Sequence, residues 1–473
     1  MSSLELVPRE AAHVPPARRG SYPLRPGNVL EPLVDGEPAF RRICESVEAA
    51  RESAWVTVAY LDRDVAMPDG RGTFFDVLER AARRGIDVRV LFWREPRLGE
   101  LEPESTHFPG DAADRAFLGE RASPLKARWD RHPGAFCHHQ KSWIVDAGGP
   151  GEVAFVGGIN LLHSSVCAPG HAARRGEQDH DAYALVRGPA ASDVHHNFVQ
   201  RWNEASERAR EDGCWPDLAR AGDLEFPAFA SIAAGEVPVQ MTRTLSAGLY
   251  TADAAAPGGK AFPIARGEQS VLEQYLAAIA AARRSVYVED QAIGSPAIVE
   301  ALQAAVDRDV EVVFLVPGNA HPAFVAARRN PHAAFFFDAL ARLGAHSRFT
   351  LAAIAASLPG GPPTAYDEIY VHAKLMLVDD VWGTLGSTNV ADRSFRDDTE
   401  MNASFWHPAT VRALRETLLR EHLGIDTAGW HDRQALGLFR EIALANRARR
   451  SRGSPLAGLA YAVDATTYGV TRP

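Results

Sequence analysis

Lysine is nearly absent from this chain. Lysine and arginine together number 51, yet only four are lysines: Lys126, Lys141, Lys260 and Lys374. Arginine stands almost everywhere else, a usage that points to a high-GC, bacterial genome. Cysteine is also scarce. Cys44, Cys137, Cys167 and Cys214 show no C-x-x-C spacing, which excludes a disulfide framework and predicts free buried thiols. His132, Cys137 and His138 crowd together but match no zinc spacing, so no metal is expected. No apolar run approaches eighteen residues, and the first residues, MSSLELVPREAAHVPPARRGS, contain no apolar core. Neither a membrane span nor a classical secretory signal is therefore expected. A basic excess is missing too: the formal net charge is −9, against the balance of a protein that lives on nucleic acid. A monomer without a nucleic-acid partner is expected. Its place would be cytoplasmic or peripheral to a membrane, with signal-less export left open.

What is present is globular. Apolar residues make up 46% and charged residues 23% of 473 positions, too many for one ordinary core. The order of elements repeats. PAFRRICESVEAARES reads as a helix, AWVTVAYL as a strand, FFDVLERAARRG as a helix and IDVRVLFW as a strand. SVLEQYLAAIAAARRS, SVYVEDQAI, AIVEALQAAVDRD and VEVVFLVPG then repeat that order. Helices alternating with buried strands predict a duplicated α/β fold, a mixed sheet flanked by helices in each half. The boundaries read as a flexible arm over 1–30, a first half over 31–211, a linker over 212–240, a second half over 241–430 and an extension over 431–473. An irregular stretch, SLPGGPPTAYDE, precedes the second half's motif and is expected near the mouth of the site.

Each half reaches the same motif, His139-x-Lys141-x4-Asp146 and His372-x-Lys374-x4-Asp379. On a strand, residues two apart share a face, so each His presents with its Lys. The aspartates fall at odd offsets and are expected to close the following turn. Two of only four lysines sit in these motifs, so arginine was not an acceptable substitute there. Two histidines and two lysines suit a phosphodiester. One imidazole attacks phosphorus, the other protonates the leaving oxygen, and the ammonium groups neutralise the non-bridging oxygens. That division requires the two imidazole pKa values to be pushed apart. Asn160 and Asn389, with Ser165 and Ser394 five residues further on, are candidate phosphate ligands. Gly157, Gly158 and Gly386 are expected to let backbone approach the anion. Asp181 and Glu400 are the candidate acids behind the histidines, with Asp179 a competitor for the first. His195 and His196 read as solvated or capping.

HHQKSWIVDAGGPGEVAFVGGINL, HDAYALVRGPAASDVHHNFVQRWN, VYVEDQAI and IYVHAKLMLVDDVWGTLGSTNVADRS together resemble the phospholipase D superfamily, in its two-motif single-chain branch. The likeness runs from about residue 30 to 430. It implies a pseudo-twofold fold with one site between the halves, no cofactor and no obligatory metal. It implies His139 as nucleophile, His372 as acid, and Asp181 and Glu400 behind them. It also implies a phospholipid surface met peripherally, as the partner of a phospholipase D-type phosphodiesterase. A phosphatidyltransferase of the cardiolipin or phosphatidylserine synthase kind is the alternative, and a nuclease a more distant one. Two departures stand out. Asp290 replaces the usual Asn of Glu-Asn-Gln, and LLHSSVCAPGHAARRGEQDH lacks the Arg-Trp-Asp run of the eukaryotic enzymes.

Overall fold

The computed structural model describes residues 7–95, 107–172, 176–357 and 366–470. Within them the chain builds one sheet plan twice. The first copy comprises β1 (Arg25–Val34), β2 (Ser53–Val58), β3 (Asp87–Trp93), β4 (Lys126–Asp130), β5 (Ser142–Val145), β6 (Val153–Gly157), the two-residue β7 (Asp179–His180) and β8 (Ala182–Arg187), with β9 (Cys214–Trp215) on its edge. The second comprises β10 (Val237–Leu245), β11 (Glu268–Gln269), β12 (Ser285–Asp290), β13 (Ile293–Gly294), β14 (Glu311–Leu315), β15 (Phe349–Ser357), β16 (Tyr366–Val371), β17 (Lys374–Val378), β18 (Trp382–Gly386), β19 (Val390–Ala391), β20 (Glu400–Phe405) and β21 (Ala460–Ala462).

The main strands run β4-β3-β2-β5-β6-β8-β1 in one half. They run β15-β14-β12-β17-β18-β20-β10 in the other. Position by position the orders correspond. In both, three parallel strands lead into an antiparallel remainder. The halves join through the antiparallel pair β1–β10, with Arg25 opposite Val239.

Helices cover the outer faces. In the first half these are α1 (Gly36–Ala49), α2 (Phe74–Arg83) and α3 (Ala112–Glu120). Thr73 and Asp76 form a capping box at the start of α2 and fix where it begins. The helix then buries Phe74, Phe75, Val77, Leu78 and Ala81 against the sheet. The strands between such layers are buried on both faces. Every residue of β2 is buried, which is why it reads as a mostly apolar run rather than an alternating one. The helix α4 (Ala191–Glu204) fills the space between the sheets. Next come α5 (Ser270–Ala281), α6 (Pro296–Asp307), α7 (Pro322–Arg328) and α8 (Ala334–Gly344), of which α5, α6 and α8 cover the outer face of the second sheet. The short α9 (Asp392–Arg396) precedes β20, and α10 (Pro408–Leu423) and α11 (Asp432–Ser451) join α4 in the central core.

Three sequence expectations change here. Residues 7–24 are not a loose arm. Ala11 and Val14 are buried, the Trp406 indole donates to the Val14 carbonyl at 2.7 Å, and the Gln240 amide bonds both backbone groups of Ala17. The Pro- and Arg-rich composition hides these few anchors, and the first strand already begins at Arg25. The stretch from 431 is not an appendage, since α11 packs on the second sheet and β21 pairs with β15. His195 and His196 are buried rather than solvated. His195 bonds Glu152 at 3.0 Å, and His196 bonds Tyr22 and the Ala254 carbonyl. Of the stretch SLPGGPPTAYDE, residues 358–365 lie outside the described residues.

Candidate active site

Both motif histidines sit just before a central strand, His139 ahead of β5 and His372 ahead of β17. Backbone hydrogen bonds tie each to the opposite half. His139 N donates to Thr399 O and Thr399 N donates to Cys137 O, both at 3.0 Å, at the entrance to β20. His372 N and Ala373 N both donate to His180 O, at 2.8 and 2.9 Å, where β7 pairs in parallel with β16. Each motif therefore lies beside the strand that carries the other half's acid.

The side chains follow the backbone. The His139 Nδ1–H group donates to Glu400, 3.0 Å from each carboxylate oxygen. The corresponding His372 group donates to Asp181 Oδ2 at 2.5 Å. The pairing is crossed, each half's acid serving the other half's histidine. Asp181 and Glu400 are 2% and 0% exposed, while both imidazole side chains retain 9%. With Nδ1 committed to the acid, Nε2 is the atom left to meet a substrate. Lys141 Nζ donates to the His139 carbonyl at 2.8 Å, and Lys374 Nζ donates to the His372 carbonyl and to Gln291 Oε1. These contacts orient each lysine from its own motif.

Burial dominates the electrostatics. It holds both imidazoles well below the ordinary histidine range, and the nearby ammonium groups push the same way. Burial raises Glu400 to about 8 and Asp181 to about 7. Lys141 is pulled down to about 8, and Lys374 is lowered as well. Both imidazoles are lowered by the same burial and the same pair of lysines.

Other candidates fall into place differently. Asp146 accepts from the backbone N–H groups of Arg51, Glu52 and Ser53, and Asp379 from those of Arg283, Arg284 and Ser285 and from His13. Both aspartates thus clamp the start of the neighbouring strand from a turn. Ser165 does not face a phosphate position. It is buried and donates to Asp179 at 2.7 Å, alongside Ser164. Asp179 is thereby used up as a competitor of Asp181. Ser394 bonds Glu400 instead of standing free. Asn160 and Asn389, by contrast, each keep a buried amide oxygen without a partner among the described residues, at equivalent places after β6 and β18.

The glycines serve the protein rather than an anion. A Cβ on Gly157 would meet Ala182 O at 2.3 Å, one on Gly386 would meet Met401 O at 2.3 Å, and one on Gly158 would meet Asp181 Oδ1 at 2.4 Å. Three functional neighbours escaped the sequence reading. Ser387 donates to Glu400 at 2.5 Å, Gln140 donates to the Glu400 carbonyl, and Gln291 holds Lys374. Gln291 carried a signal in the Glu-Asp-Gln run. Asp290 of the same run is opposite Lys374 in register and is raised to about 8 by burial.

Residues 275–421 match the family described as cardiolipin synthase, PLD-like domain, and residues 172–317 match the family described as phospholipase D. The chain is 22% identical over 401 residues to a cardiolipin synthase of Listeria monocytogenes, covering 84% of this chain and 69% of that one. It is 25% identical over 559 residues to phospholipase D alpha 2 of Oryza sativa subsp. japonica, covering 88% of this chain and 66% of that one. The phosphatidylserine synthase structure of Haemophilus influenzae Rd KW20 superposes with a TM-score of 0.52 at 12% identity, over 90% of this chain and 95% of that one. It shows a shared fold. The chain belongs to the phospholipase D superfamily and carries two of its His-Lys-Asp motifs. Its chemistry is accordingly of the phosphodiesterase and transphosphatidylase kind. Among the described residues no helix is long and apolar enough to cross a membrane.

Proposed function

We propose that the chain is a phospholipase D-type enzyme that hydrolyses the distal phosphodiester bond of glycerophospholipids to phosphatidic acid, working from the surface of a phospholipid membrane. The observation that carries the reading is the crossed pair of acid-held histidines, each with its own lysine. His139 Nε2 attacks phosphorus while neutral, a P–N bond forms, and the P–O bond to the headgroup breaks. His372 gives its Nε2 proton to the departing oxygen. Neutral His372 then takes a proton from water, whose oxygen attacks phosphorus and releases His139. Burial and the lysines favour neutral imidazoles, so His372 takes up its proton from solvent as the substrate binds. A phosphodiester anion between them offsets the two ammonium charges and lets one imidazole protonate.

Phospholipid vesicles with several headgroups, followed for headgroup release, test the reading. Activity is expected from the parent chain. His139→Ala and His372→Ala should each lose at least about 10³-fold, with an unchanged circular dichroism spectrum. No release by folded protein across all headgroups overturns the proposal. Transfer is the second reading, favoured by the match over 275–421 to a family described as cardiolipin synthase. It shares the phosphohistidine and differs in the acceptor. Adding glycerol, serine or phosphatidylglycerol and finding exchange product in place of phosphatidic acid selects it. Action on nucleic acid is disfavoured by the net charge of −9.

A further inference from the structure

Behind Asp181 the fold buries a second set of convergent groups. Asp35 precedes α1, His171 lies in the loop after β6, His180 ends β7, and Glu421 and His422 close α10. Four atoms, Asp35 Oδ1, His171 Nε2, His180 Nδ1 and Glu421 Oε1, all lie within 4.8 Å of one another. Asp35 is 2.9 Å from His180 and 3.3 Å from His171. His171 is 3.3 Å from His180 and 3.5 Å from Glu421. Ligand atoms around a tetrahedral zinc, at bonds of about 2.0–2.2 Å, stand about 3.3 Å apart. The measured separations scatter around that edge.

Two further observations point to a cation rather than to a set of mutual hydrogen bonds. His171 Nε2 is aimed between its neighbours, with none closer than 3.3 Å, so two imidazole nitrogens face each other across one carboxylate oxygen. The carboxylates also have histidines as their counter-charges: Asp35, Glu289 and Glu421 have side chains 0%, 0% and 6% exposed, and among the described residues no arginine or lysine pairs with any of them. Buried carboxylates that depend on protonated imidazoles for neutralisation are suited to a metal ion that replaces those protons. The surroundings have the form of a metal's outer support. His180 Nε2 bonds Glu289 Oε2 at 2.9 Å, and Glu289 is held in turn by His422 and Tyr287. A carboxylate behind a metal-bound imidazole fixes its tautomer and orientation. Asp35 meanwhile holds a left-handed backbone, φ 65°, a conformation that costs energy and places its carboxylate in the cluster.

We propose that Asp35, His171, His180 and Glu421 form a tetrahedral site for a divalent cation of the zinc class, clamping the start of α1, the loop around His171 and β7 of the first half to α10 of the second. The sequence offers no zinc spacing because the four ligands are far apart along the chain. The site's role is positional. His180 is followed directly by Asp181, which holds His372, so an ion on His180 pins the strand that presents this acid.

The test uses the full chain, purified without chelator, with elemental analysis and a cobalt titration of chelator-stripped protein. About one zinc per chain is expected, with a tetrahedral cobalt absorption spectrum after stripping. Both should be lost or weakened by at least about 10-fold in His171→Gln and in Glu421→Gln. His139→Ala should keep both, which separates this site from the catalytic histidines. Circular dichroism shows that each variant is folded, and Glu421→Gln, on the rim, guards against misfolding of the other. Folded, stripped protein that gives no tetrahedral cobalt spectrum overturns the proposal. So does a spectrum unchanged by both substitutions, which would mark an adventitious ion elsewhere.

Discussion

The two motif lysines do a job that arginine cannot copy. Each ammonium donates to the carbonyl of its own histidine, two residues earlier, and under the proposed function would offer its remaining donors to a phosphate oxygen. A guanidinium is a planar fork that would meet the same carbonyl in a different geometry. A lysine can also lose its proton. Burial brings Lys141 down to about 8, against the opposing pull of Glu400. Below that pH it is charged, and as pH rises through it the charge that neutralises the phosphate is lost. The rate should therefore fall on the alkaline side near pH 8. On the acid side the attacking imidazole stays neutral to well below the ordinary histidine value of about 6.5, so an acid limb comes from Asp181 and Glu400, which burial raises to about 7 and about 8 and which must be ionised to accept the Nδ1 protons. A kcat/KM profile checks both limbs. Lys141→Arg should have a lower plateau but no alkaline limb near 8, since guanidinium stays charged. If the limb survives in that variant, Lys141 is not its source.

At the scale of elements, glycines set how closely strands and acids approach. Gly157 and Gly158 are neighbours with opposite consequences. A methyl on Gly157 would strike the backbone of β8, whereas one on Gly158 would strike the Asp181 carboxylate. Gly157→Ala should cost about 1–3 kcal/mol of stability. Gly158→Ala should leave the unfolding midpoint closer to the parent yet lower kcat by about 10²-fold, the penalty of misplacing a catalytic group by about 1 Å. Denaturant unfolding and steady-state rates, taken together, separate the two. The motif aspartates act on the same scale. Asp379 is fully buried and accepts from three backbone N–H groups and His13, while Asp146 is partly exposed and accepts from three N–H groups near the surface. Asp379→Ala should cost about 3 kcal/mol and Asp146→Ala about 1 kcal/mol in urea unfolding. A reversed order would mean that the clamp matters less than the turn. The helix–strand–helix–strand order that opens each half and the repeated motif were legible in the sequence, because burial on both faces leaves an apolar run, although the motif histidines read onto strands stand just before β5 and β17. The wiring was not. Chain order cannot tell which acid serves which histidine, and Ser165 reads as a phosphate donor until Asp179 is seen to take its hydroxyl. The anchors of residues 7–24 were hidden for the same reason, being single contacts such as Val14 with Trp406 that leave no period.

At the scale of the molecule, the duplication makes two sheets and one site, and the crossed acids make the halves interdependent. Asp181 belongs to the first half but acts on His372, and Glu400 belongs to the second but acts on His139. Leaving-group chemistry can read this wiring directly. A phosphodiester with a good leaving group, such as p-nitrophenol, needs no proton on departure, so loss of the acid costs little while loss of the nucleophile is still fatal. Substitutions should then sort into two classes by single-turnover p-nitrophenol release. Asp181→Asn should fall with His372→Ala, and Glu400→Gln with His139→Ala, although each pair spans the two halves. On a natural phospholipid both carboxylate variants should lose about 10²-fold or more. With the activated substrate one cross-half pair should recover and the other should not. The pair that recovers is the acid side, which His372 and Asp181 are expected to form. If Asp181→Asn instead sorts with His139→Ala, the acids work within their own halves and the crossed hydrogen bonds are not those the reaction uses.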